Sequence, residues 1–299
     1  MKTAIIGQRA PRSGRAWAYL TMTRPANVVT ALADVLAGTA AAGTMAGLPG
    51  LLLATAALYA GGVVLNDVFD AALDAVERPE RPIPDGRVGR AGAAMLGGGL
   101  LALGVLSAGS VSAASMGVAA AVAGMVLLYD IWAKHQSFAG PLAMGSCRGL
   151  NLMLGVSAAP AMLGELWPWA LLPIAYIAAI TAISRGEVHG GGRRVGWLAV
   201  GLVAAVLVAL TAAGWSGTRP GWAVLPFVAL LAARVLPAFV AAARQPRPQL
   251  IGAAVRAGVL SLILLDAALA AAFAGPLHGL AVLALWPLSL VLARLFAVT

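Results

Sequence analysis

Ten apolar segments of roughly 20 residues fill most of this chain and limit its possible folds more than any other feature. About 20 apolar residues in a helix are enough to cross the hydrocarbon core of a bilayer. The composition agrees, because 61% of the 299 residues are hydrophobic and only 10% are charged. The segments predict an all-α polytopic membrane protein, a bundle of nine to ten transmembrane helices, rather than a barrel with alternating hydrophobicity. They cover residues 25–43, 49–70, 91–109, 113–132, 139–162, 167–184, 196–214, 221–242, 250–274 and 278–297.

Basic residues alternate between the two sides of this predicted bundle. The odd-numbered connections contain no Lys or Arg except Arg219, whereas the even-numbered connections and the chain ends contain most of the others. Lys and Arg are enriched in cytoplasmic loops. We therefore expect both termini, including an N-terminal segment over 1–20, in the cytoplasm, and the protein in the cell inner membrane. This orientation explains the net charge of +9, so no nucleic-acid partner is expected.

One short stretch, from Asp67 to Asp85, holds six of the eleven carboxylates. A helix turns by about 100° per residue, so spacings of three and four residues place Asp67, Asp70 and Asp74 on one face. Three aligned carboxylates repel one another, and the dipole at a helix C-terminus adds to the repulsion. A divalent cation or a Mg²⁺-bound phosphate group would remove it, since hard cations prefer oxygen ligands. The alternative is a solvated helix end that binds nothing.

The residue order in this stretch resembles a motif of the UbiA superfamily of intramembrane prenyltransferases. The motif reads Asn-Asp-x-x-Asp-x-x-x-Asp from Asn66, and Arg-Pro-Ile-Pro-x-Gly follows from Arg81. Asn27, in the sequence Arg-Pro-x-Asn, is similar to a position in the family's opening helix. Tyr129 with Lys134 resembles the family's Tyr/Lys pair. The resemblance implies one UbiA-like domain over 1–299, with a central cavity that opens to the cytoplasmic side between active-site loops at 71–90 and 184–195.

The activity that the resemblance implies is enzymatic. It is the Mg²⁺-dependent transfer of a prenyl group from an isoprenyl diphosphate to a lipophilic or small-molecule acceptor within the membrane. Mg²⁺ would bridge carboxylates to diphosphate, and Arg81 and Lys134 would neutralise diphosphate oxygens, so that charge on the leaving group is stabilised. The implied residues are Asn66, Asp67, Asp70, Asp74 and Glu187 for metal binding, Asp67, Asp70, Lys134, Arg185 and Glu187 for catalysis, and Asn27, Asn66, Asp74, Arg81 and Tyr129 for substrate binding.

The second acidic region expected from the family, with two aspartates four residues apart, is missing from the loop after the sixth segment. Glu187 is the only carboxylate there, close to Arg185, His189 and three glycines. Either Glu187 holds a second Mg²⁺ alone, or Arg185 and His189 replace metal charge with protein charge, or the chemistry differs from the usual reaction. His189 is a candidate base, metal ligand or substrate-binding residue, or a solvated loop histidine. The stretch 183–191 is similar to a branch named for ebo-type operons, whose acceptor need not be an aromatic acid.

Arg148 and Asn151 lie one turn apart in the fifth segment, so their side chains face the same direction. Charged groups inside a membrane usually face a cavity or a polar partner. The pair therefore either lines the acceptor or diphosphate pocket as substrate-binding residues, or reaches the interface by snorkelling. Asp34 and Asp266 are further candidates for buried pairs, whose partners the sequence does not fix.

Two other classes compete with the prenyltransferase hypothesis. A polytopic transporter would explain the intramembrane charges, but it predicts an inverted repeat, and the acidic stretch has no counterpart in the second half. A CDP-alcohol phosphotransferase also groups aspartates at a membrane face, but its Asp-Gly-x-x-Ala-Arg pattern is absent. A UbiA-like protein with altered prenyl chemistry stays open. The sequence predicts no prenyl chain length, acceptor identity or oligomeric state.

Overall fold

The computed structural model describes residues 14–216 and 221–296, which form α-helices and short 3-10 helices but no strand. Long apolar runs interrupted by Pro and Gly explain this all-α fold. The first helices are α1 (Arg15–Met22), α2 (Pro25–Ala41), α3 (Leu48–Phe69), α4 (Ala71–Glu77), α5 (Arg90–Gly109), α6 (Ala113–Ile131), α7 (Ala139–Val156) and α8 (Leu163–Leu166). The others are α9 (Leu171–Ser184), α10 (Arg193–Ser216), α11 (Leu225–Arg244), α12 (Pro248–Leu260), α13 (Leu262–Ala274), α14 (Pro276–Leu283) and α15 (Leu285–Leu295).

Eight helical stretches in the described residues are long and apolar enough to cross a membrane. The chain is a multi-pass integral membrane protein, as the sequence predicted. α2 and α7 match the first and fifth predicted segments but are not among the eight, because α2 has 17 residues and α7 contains Arg148 and Asn151. The count of nine to ten spans stays a prediction. The eight stretches are Leu48–Phe69, Arg90–Gly109, Ala113–Ile131, Pro160–Ser184, Arg193–Trp215, Gly221–Arg244, Pro248–Ala274 and Pro276–Leu295.

The predicted segments differ from the helices in detail. α1 adds a helix to the N-terminal region, and α4 occupies the first 7 residues of the stretch predicted as a loop after Asp70. The ninth and tenth segments each divide into two helices, at Ser261 and Ala284. Gly258 and Ser261 are the kind of pair at which helices kink. Arg9, Arg12 and Arg219, which support part of the predicted orientation, lie outside the described residues.

α2 packs against α3, α7, α13 and α15, so it lies at the centre of the bundle. Its contact with α7 is made along the two backbones. A Cβ atom added to Gly155 of α7 would overlap the carbonyl oxygen of Val35, and one added to Gly38 would overlap that of Leu152. Small residues commonly permit such close contacts between helices in membranes. The close contact brings Asp34 of α2 against the polar face of α7.

Two hydrophobic clusters flank the polar part of the protein. The larger is built mainly from α9, α10, α11 and α13 and contains the fully buried Tyr176 and Phe239. The smaller joins α3, α5 and α6 around Leu51 and Leu58. The end of α3, α4 and the loop after α9 meet between the clusters, and their polar side chains line a cavity there.

Candidate active site

The outer cavity, as we call it, has a volume of about 340 Å³. One wall is apolar and comes from α9, α12 and α13, with Ile177, Ile180, Val255, Val259 and Leu262. Most of the other lining residues are polar or charged. They are Arg24, Asn27, Tyr59, Asn66, Asp70, Asp74, Glu77, Arg78, Arg81, Tyr129, Arg148, Thr181, Ser184 and Glu187. The cavity therefore offers an apolar surface and a cluster of charges side by side.

The inner cavity adjoins it between α3, α6 and α7 and has a volume of about 210 Å³. The two cavities share Arg24, Tyr59, Asn66, Tyr129 and Arg148. Most of the remaining wall is apolar, apart from a few polar side chains. The lining residues found only in the inner cavity are Thr55, Leu58, Gly62, Val63, Val122, Val126, Asp130, Cys147 and Asn151.

Arg81 joins two of the three predicted aspartates at the rim of the outer cavity. Its Nη1 atom lies 2.7 Å from Asp74 Oδ2 and 3.3 Å from Asp67 Oδ1. Arg24 approaches Asp67 from α2, with 3.2 Å between Nη2 and Oδ1. Asp67 and Asp74 are both buried, and these guanidinium groups compensate their charges. Arg81, in the Arg-Pro sequence that follows the aspartates, thus forms ion pairs with two of them.

Arg24 has an unusual backbone. Its φ of 47° makes it the only residue other than glycine with a positive φ in the described part of the chain. It precedes Pro25, which disfavours the right-handed helical region for the residue before it. Such conformations cost energy and often occur where a side chain must be held for function. In this conformation the guanidinium of Arg24 reaches Asp67 and lines both cavities.

Asp70, the third aspartate, pairs with Lys134 at 2.6 Å between Nζ and Oδ1. Lys134 sits in a single 3-10 turn, Ala133–His135, between α6 and α7. Arg185 fixes this turn from the other side, because its Nη2 atom donates to the carbonyl oxygens of Lys134 and Gln136, at 2.9 and 2.5 Å. Asp70 lines the outer cavity, whereas Lys134 does not.

Asp130 was not among the residues chosen from the sequence. Its Oδ1 atom accepts a hydrogen bond of 2.8 Å from Nδ2 of Asn66, and the buried side chain lines the inner cavity. The sequence did contain a signal for it, since Asp130 is an ionisable residue at the end of an apolar segment and directly follows Tyr129. The amide of Asn66 therefore links the aspartate motif of α3 to a fourth carboxylate on α6.

A second polar network lies deeper, around Asp34. This side chain has no exposed surface, and its oxygens accept hydrogen bonds from Arg148 at 3.0 Å and from Asn151 at 2.7 Å. Arg148 Nη2 also donates to the Thr30 carbonyl oxygen, and Thr55 donates to Asn151 at 2.6 Å. Arg148 and Asn151 therefore face a partner and a cavity, and they do not snorkel to the interface.

Of the three residues predicted from the variant second motif, Arg185, Glu187 and His189, only Glu187 lines the outer cavity. Burial raises the pKa of the Glu187 carboxyl, and the Arg78 guanidinium partly opposes this rise. Arg185 lines a separate groove, and His189 is exposed and lines none of the cavities described here. The structure thus does not bring Arg185 and His189 to the same cavity as the aspartates. The roles predicted for these two residues stay predictions.

The residues predicted to bind a metal carry suitable ligand atoms, but the structure does not arrange them as a metal site. Asn66, Asp67, Asp70 and Asp74 offer oxygen atoms only, as Mg²⁺ requires. In the part of the chain that the structure describes, no group of three or more His, Cys, Asp or Glu residues could hold a metal ion as arranged. The carboxylates pair with Arg24, Arg81 and Lys134 instead. Metal binding would require them to exchange these partners.

Comparison with known proteins gives one family. The model of the UbiA prenyltransferase family matches residues 27–249. A digeranylgeranylglyceryl phosphate synthase from Ignicoccus hospitalis is 32% identical over 180 residues, which are 60% of this chain and 59% of that protein. The match thus spans less than two thirds of the relative's length.

Solved structures share the fold at low sequence identity. A structure from work on digeranylgeranylglyceryl phosphate synthase in membranes has a TM-score of 0.64 at 18% identity and covers 87% of this chain and 99% of that one. A UbiA homologue from Archaeoglobus fulgidus bound to DMAPP and Mg²⁺ has a TM-score of 0.60 at 14% identity and covers 89% and 99%.

Proposed function

Because the chain belongs to the UbiA prenyltransferase family, we propose that it transfers a prenyl group from an isoprenyl diphosphate to an acceptor within the membrane. The observation that carries this proposal is the outer cavity, which is lined by Arg24, Arg81, Asp70 and Asp74 together with apolar residues of α9, α12 and α13. A prenyl diphosphate has the same division into a charged head and an apolar tail.

The diphosphate would bind among Arg24, Arg81 and Lys134. These cations now pair with Asp67, Asp74 and Asp70, and the diphosphate would take over their hydrogen bonds. Bound Mg²⁺ would supply positive charge at the carboxylates and the diphosphate. The Archaeoglobus fulgidus homologue named above is bound to DMAPP and Mg²⁺, which supports this expectation. Donors fixed in a partly buried site stabilise the charge that develops on a leaving group.

The prenyl tail would lie against Ile177, Ile180, Val255, Val259 and Leu262. In the reaction, the bond between the prenyl carbon and the diphosphate oxygen breaks, and its electron pair stays on the diphosphate. A bond from the prenyl carbon to the acceptor forms, and the acceptor proton ends on the released diphosphate. A relative is named digeranylgeranylglyceryl phosphate synthase, and the prenyl groups on a glyceryl phosphate in that name support an acceptor that reacts through an alcohol oxygen.

A direct test would use the full-length protein in lipid nanodiscs with Mg²⁺ and labelled prenyl diphosphates of several chain lengths. Diphosphate release and lipid-soluble product would be measured for the wild type, Asp70→Asn and Asp85→Asn. Asp85 is a matched control, because it lies in the same region but pairs with Arg87 outside both cavities. We expect Asp70→Asn alone to lose about 100-fold or more in rate. Equal activity of all three proteins would contradict the proposal.

The orientation in the membrane is also proposed. Both termini and the region around Arg87 would face the cytoplasm of the cell, and the turn at Thr44 would face the opposite side. Single cysteines at these two positions in a Cys147→Ser background can be labelled in intact cells with an impermeant maleimide. Labelling from outside at Thr44→Cys but not at Arg87→Cys is expected, and the reverse pattern would refute the orientation.

A further inference from the structure

A third cavity, which we call the lateral groove, shares no lining residue with the outer or the inner cavity. It has a volume of about 480 Å³ and lies between the start of α7, the second half of α9 and the first half of α10. Most of its lining is apolar, with Leu142 from α7, Ala178 and Ala182 from α9, and Leu198 and Leu202 from α10. Leu142 and Leu198 are 46% and 69% exposed, so the groove opens on the outside of the bundle.

The groove follows two helical stretches that are long and apolar enough to cross a membrane. Along α10 it extends from Gly192, just before the helix, to Leu202, which is about 15 Å at a rise of 1.5 Å per residue. Along α9 it extends from Arg185, at the end of the helix, back to Ala178. The groove therefore runs from one membrane surface into the hydrocarbon region, in roughly the direction of a lipid acyl chain.

Only one end of the lateral groove carries charge. Arg185 lines that end, and Arg193 and Arg194 begin α10 directly after the glycines of the lining. All three residues are exposed, and none of them forms a salt bridge with another residue that the structure describes. Glu187, the only carboxylate in this loop, lines the outer cavity instead. Positive charge therefore exceeds negative charge where the apolar groove meets the membrane surface.

Arg185 also has a donor left for a ligand. Its Nη2 atom donates to the carbonyl oxygens of Lys134 and Gln136, at 2.9 and 2.5 Å. Within the described residues, its Nη1 atom makes one contact, of 3.5 Å to Ser137 Oγ, which is too long for a strong hydrogen bond. A phosphate oxygen at Nη1 would form a charge-assisted bond without displacing the two carbonyl oxygens.

The combination of groove and arginines indicates the class of ligand. Arginines in loops indicate by themselves only how a membrane protein is oriented. Basic pockets between transmembrane helices, however, bind the headgroups of anionic lipids. A zwitterionic lipid would bring a further cation to arginines that have no carboxylate partner. A prenyl diphosphate fits the outer cavity better, because the lining of the lateral groove contains no Asp or Glu to share Mg²⁺ with it.

We propose that the lateral groove binds one anionic phospholipid of the surrounding membrane, with its phosphate at Arg185 and one acyl chain along α9 and α10. The site is separate from the one proposed for prenyl transfer. The two are connected through Arg185, because this residue also holds the turn of Lys134, which pairs with Asp70 of the outer cavity.

Fluorescence quenching by brominated lipids can locate the phospholipid. Leu198 lines the groove and Val208 lies on α10 outside it, and both residues are 69% exposed. The full-length protein, with Leu198→Cys or Val208→Cys in a Cys147→Ser background, is labelled with bimane and placed in phosphatidylcholine nanodiscs. These contain a small fraction of dibrominated phosphatidylglycerol or dibrominated phosphatidylcholine.

The ratio of quenching by phosphatidylglycerol to quenching by phosphatidylcholine is compared between the two positions. Each position is its own reference, so a difference in depth between them cancels. The ratio should be higher at Leu198→Cys than at Val208→Cys by at least about threefold. Equal ratios at the two positions would overturn the proposal.

Variants test the two ends of the groove separately, with the label at Leu198→Cys. Arg185→Gln should lower the preference for phosphatidylglycerol by about fivefold, whereas Arg90→Gln, which removes an exposed arginine at the start of α5, should not. Ala178→Phe should fill the groove and abolish the excess quenching. Ala205→Phe, at an exposed position of α10 outside the groove, should leave it intact. If Ala178→Phe kept the excess quenching in a protein that unfolds at the wild-type temperature, the proposal would be wrong.

A final titration separates a membrane phospholipid from a prenyl substrate. If geranylgeranyl diphosphate removes the excess quenching by phosphatidylglycerol, the groove holds the prenyl substrate and the proposal is overturned. If the quenching persists, the phospholipid site stands. The quenching requires no turnover, so its outcome does not depend on prenyl transfer. Absence of prenyl transfer in the same nanodiscs would contradict the proposed function alone.

Discussion

Substitution of Gly155 by alanine should destabilise the protein, although alanine favours helices. The new Cβ atom would overlap the carbonyl oxygen of Val35, and ordinary contact requires about 3.5 Å. α2 and α7 would have to separate by roughly 1 Å, which would lengthen the hydrogen bonds of 3.0 and 2.7 Å from Arg148 and Asn151 to Asp34 beyond useful range.

The size of this effect follows from three contributions. Alanine in place of glycine stabilises a helix by up to about 1 kcal/mol. Overpacking against a backbone costs about 1–3 kcal/mol. Polar bonds between membrane helices contribute about 0.6 kcal/mol each on average, and two of them are weakened here. The sum is a loss of about 1–3 kcal/mol, so the steric overlap outweighs helix propensity.

The assay is reversible unfolding in bicelles, with prenyl transfer measured on the same preparations. Gly99→Ala is a matched control, because this helical glycine of α5 has no heavy atom within 4 Å of an added Cβ. It should be neutral or stabilising by up to about 1 kcal/mol. If Gly155→Ala were as stable as Gly99→Ala, the close contact between α2 and α7 would not exist. Activity should fall with stability only in Gly155→Ala, since Arg148 would move.

Three further predictions concern the outer cavity. Arg81→Gln should lower kcat/KM for the prenyl diphosphate by about 100-fold. Arg87 lies outside both cavities, so Arg87→Gln should leave kcat/KM unchanged. Equal kcat/KM values for the two variants would refute a role of Arg81 in diphosphate binding. Arg185→Met should lower kcat by about tenfold, because the turn that carries Lys134 loses two hydrogen bonds, and His189→Ala should have no effect. For Glu187 the raised pKa means that the folded state binds its proton more tightly than the unfolded state. The free energy of unfolding of the wild type, relative to that of Glu187→Gln, should therefore fall as pH rises from below 4.5 through the raised pKa. Both proteins would be measured in metal-free buffer. If the difference in unfolding free energy did not change with pH, the burial of this carboxyl would be contradicted.

Local spacing was sufficient to predict much of the outer cavity. The spacing grouped the three aspartates, and the structure places Asp70 and Asp74 on the cavity wall, where they pair with Lys134 and Arg81. Helical periodicity does not run through all three, because Asp70 lies between α3 and α4 and Asp67 does not line the cavity. The same periodicity grouped Arg148 with Asn151. What spacing could not supply was the identity of partners on other helices, such as Asp34 for Arg148. Those contacts depend on which helices pack together, and glycine pairs far apart in sequence decide that.

In the variant second motif, by contrast, closeness in sequence was misleading. Arg185, Glu187 and His189 are close in sequence, and this proximity suggested a shared role. They do not share a cavity, because the turn after α9 directs Glu187 toward the outer cavity and Arg185 toward the turn of Lys134. In a loop, neighbouring residues have no fixed common face, so spacing carries little information there. Asp130 was missed for a different reason. Its place beside Tyr129 at the end of an apolar segment was a weak signal, and the tertiary contact with Asn66 is what connects it to the aspartate motif.

The pairing of cations with carboxylates around the outer cavity has a consequence for the proposed reaction. Each of Arg24, Arg81 and Lys134 already has a carboxylate within 3.3 Å, so a diphosphate alone would compete with these carboxylates for the same donors. If Mg²⁺ bound the carboxylates at the same time, the cations would be released to the diphosphate. Because both exchanges depend on each other, binding of Mg²⁺ and binding of the prenyl diphosphate should be strongly cooperative.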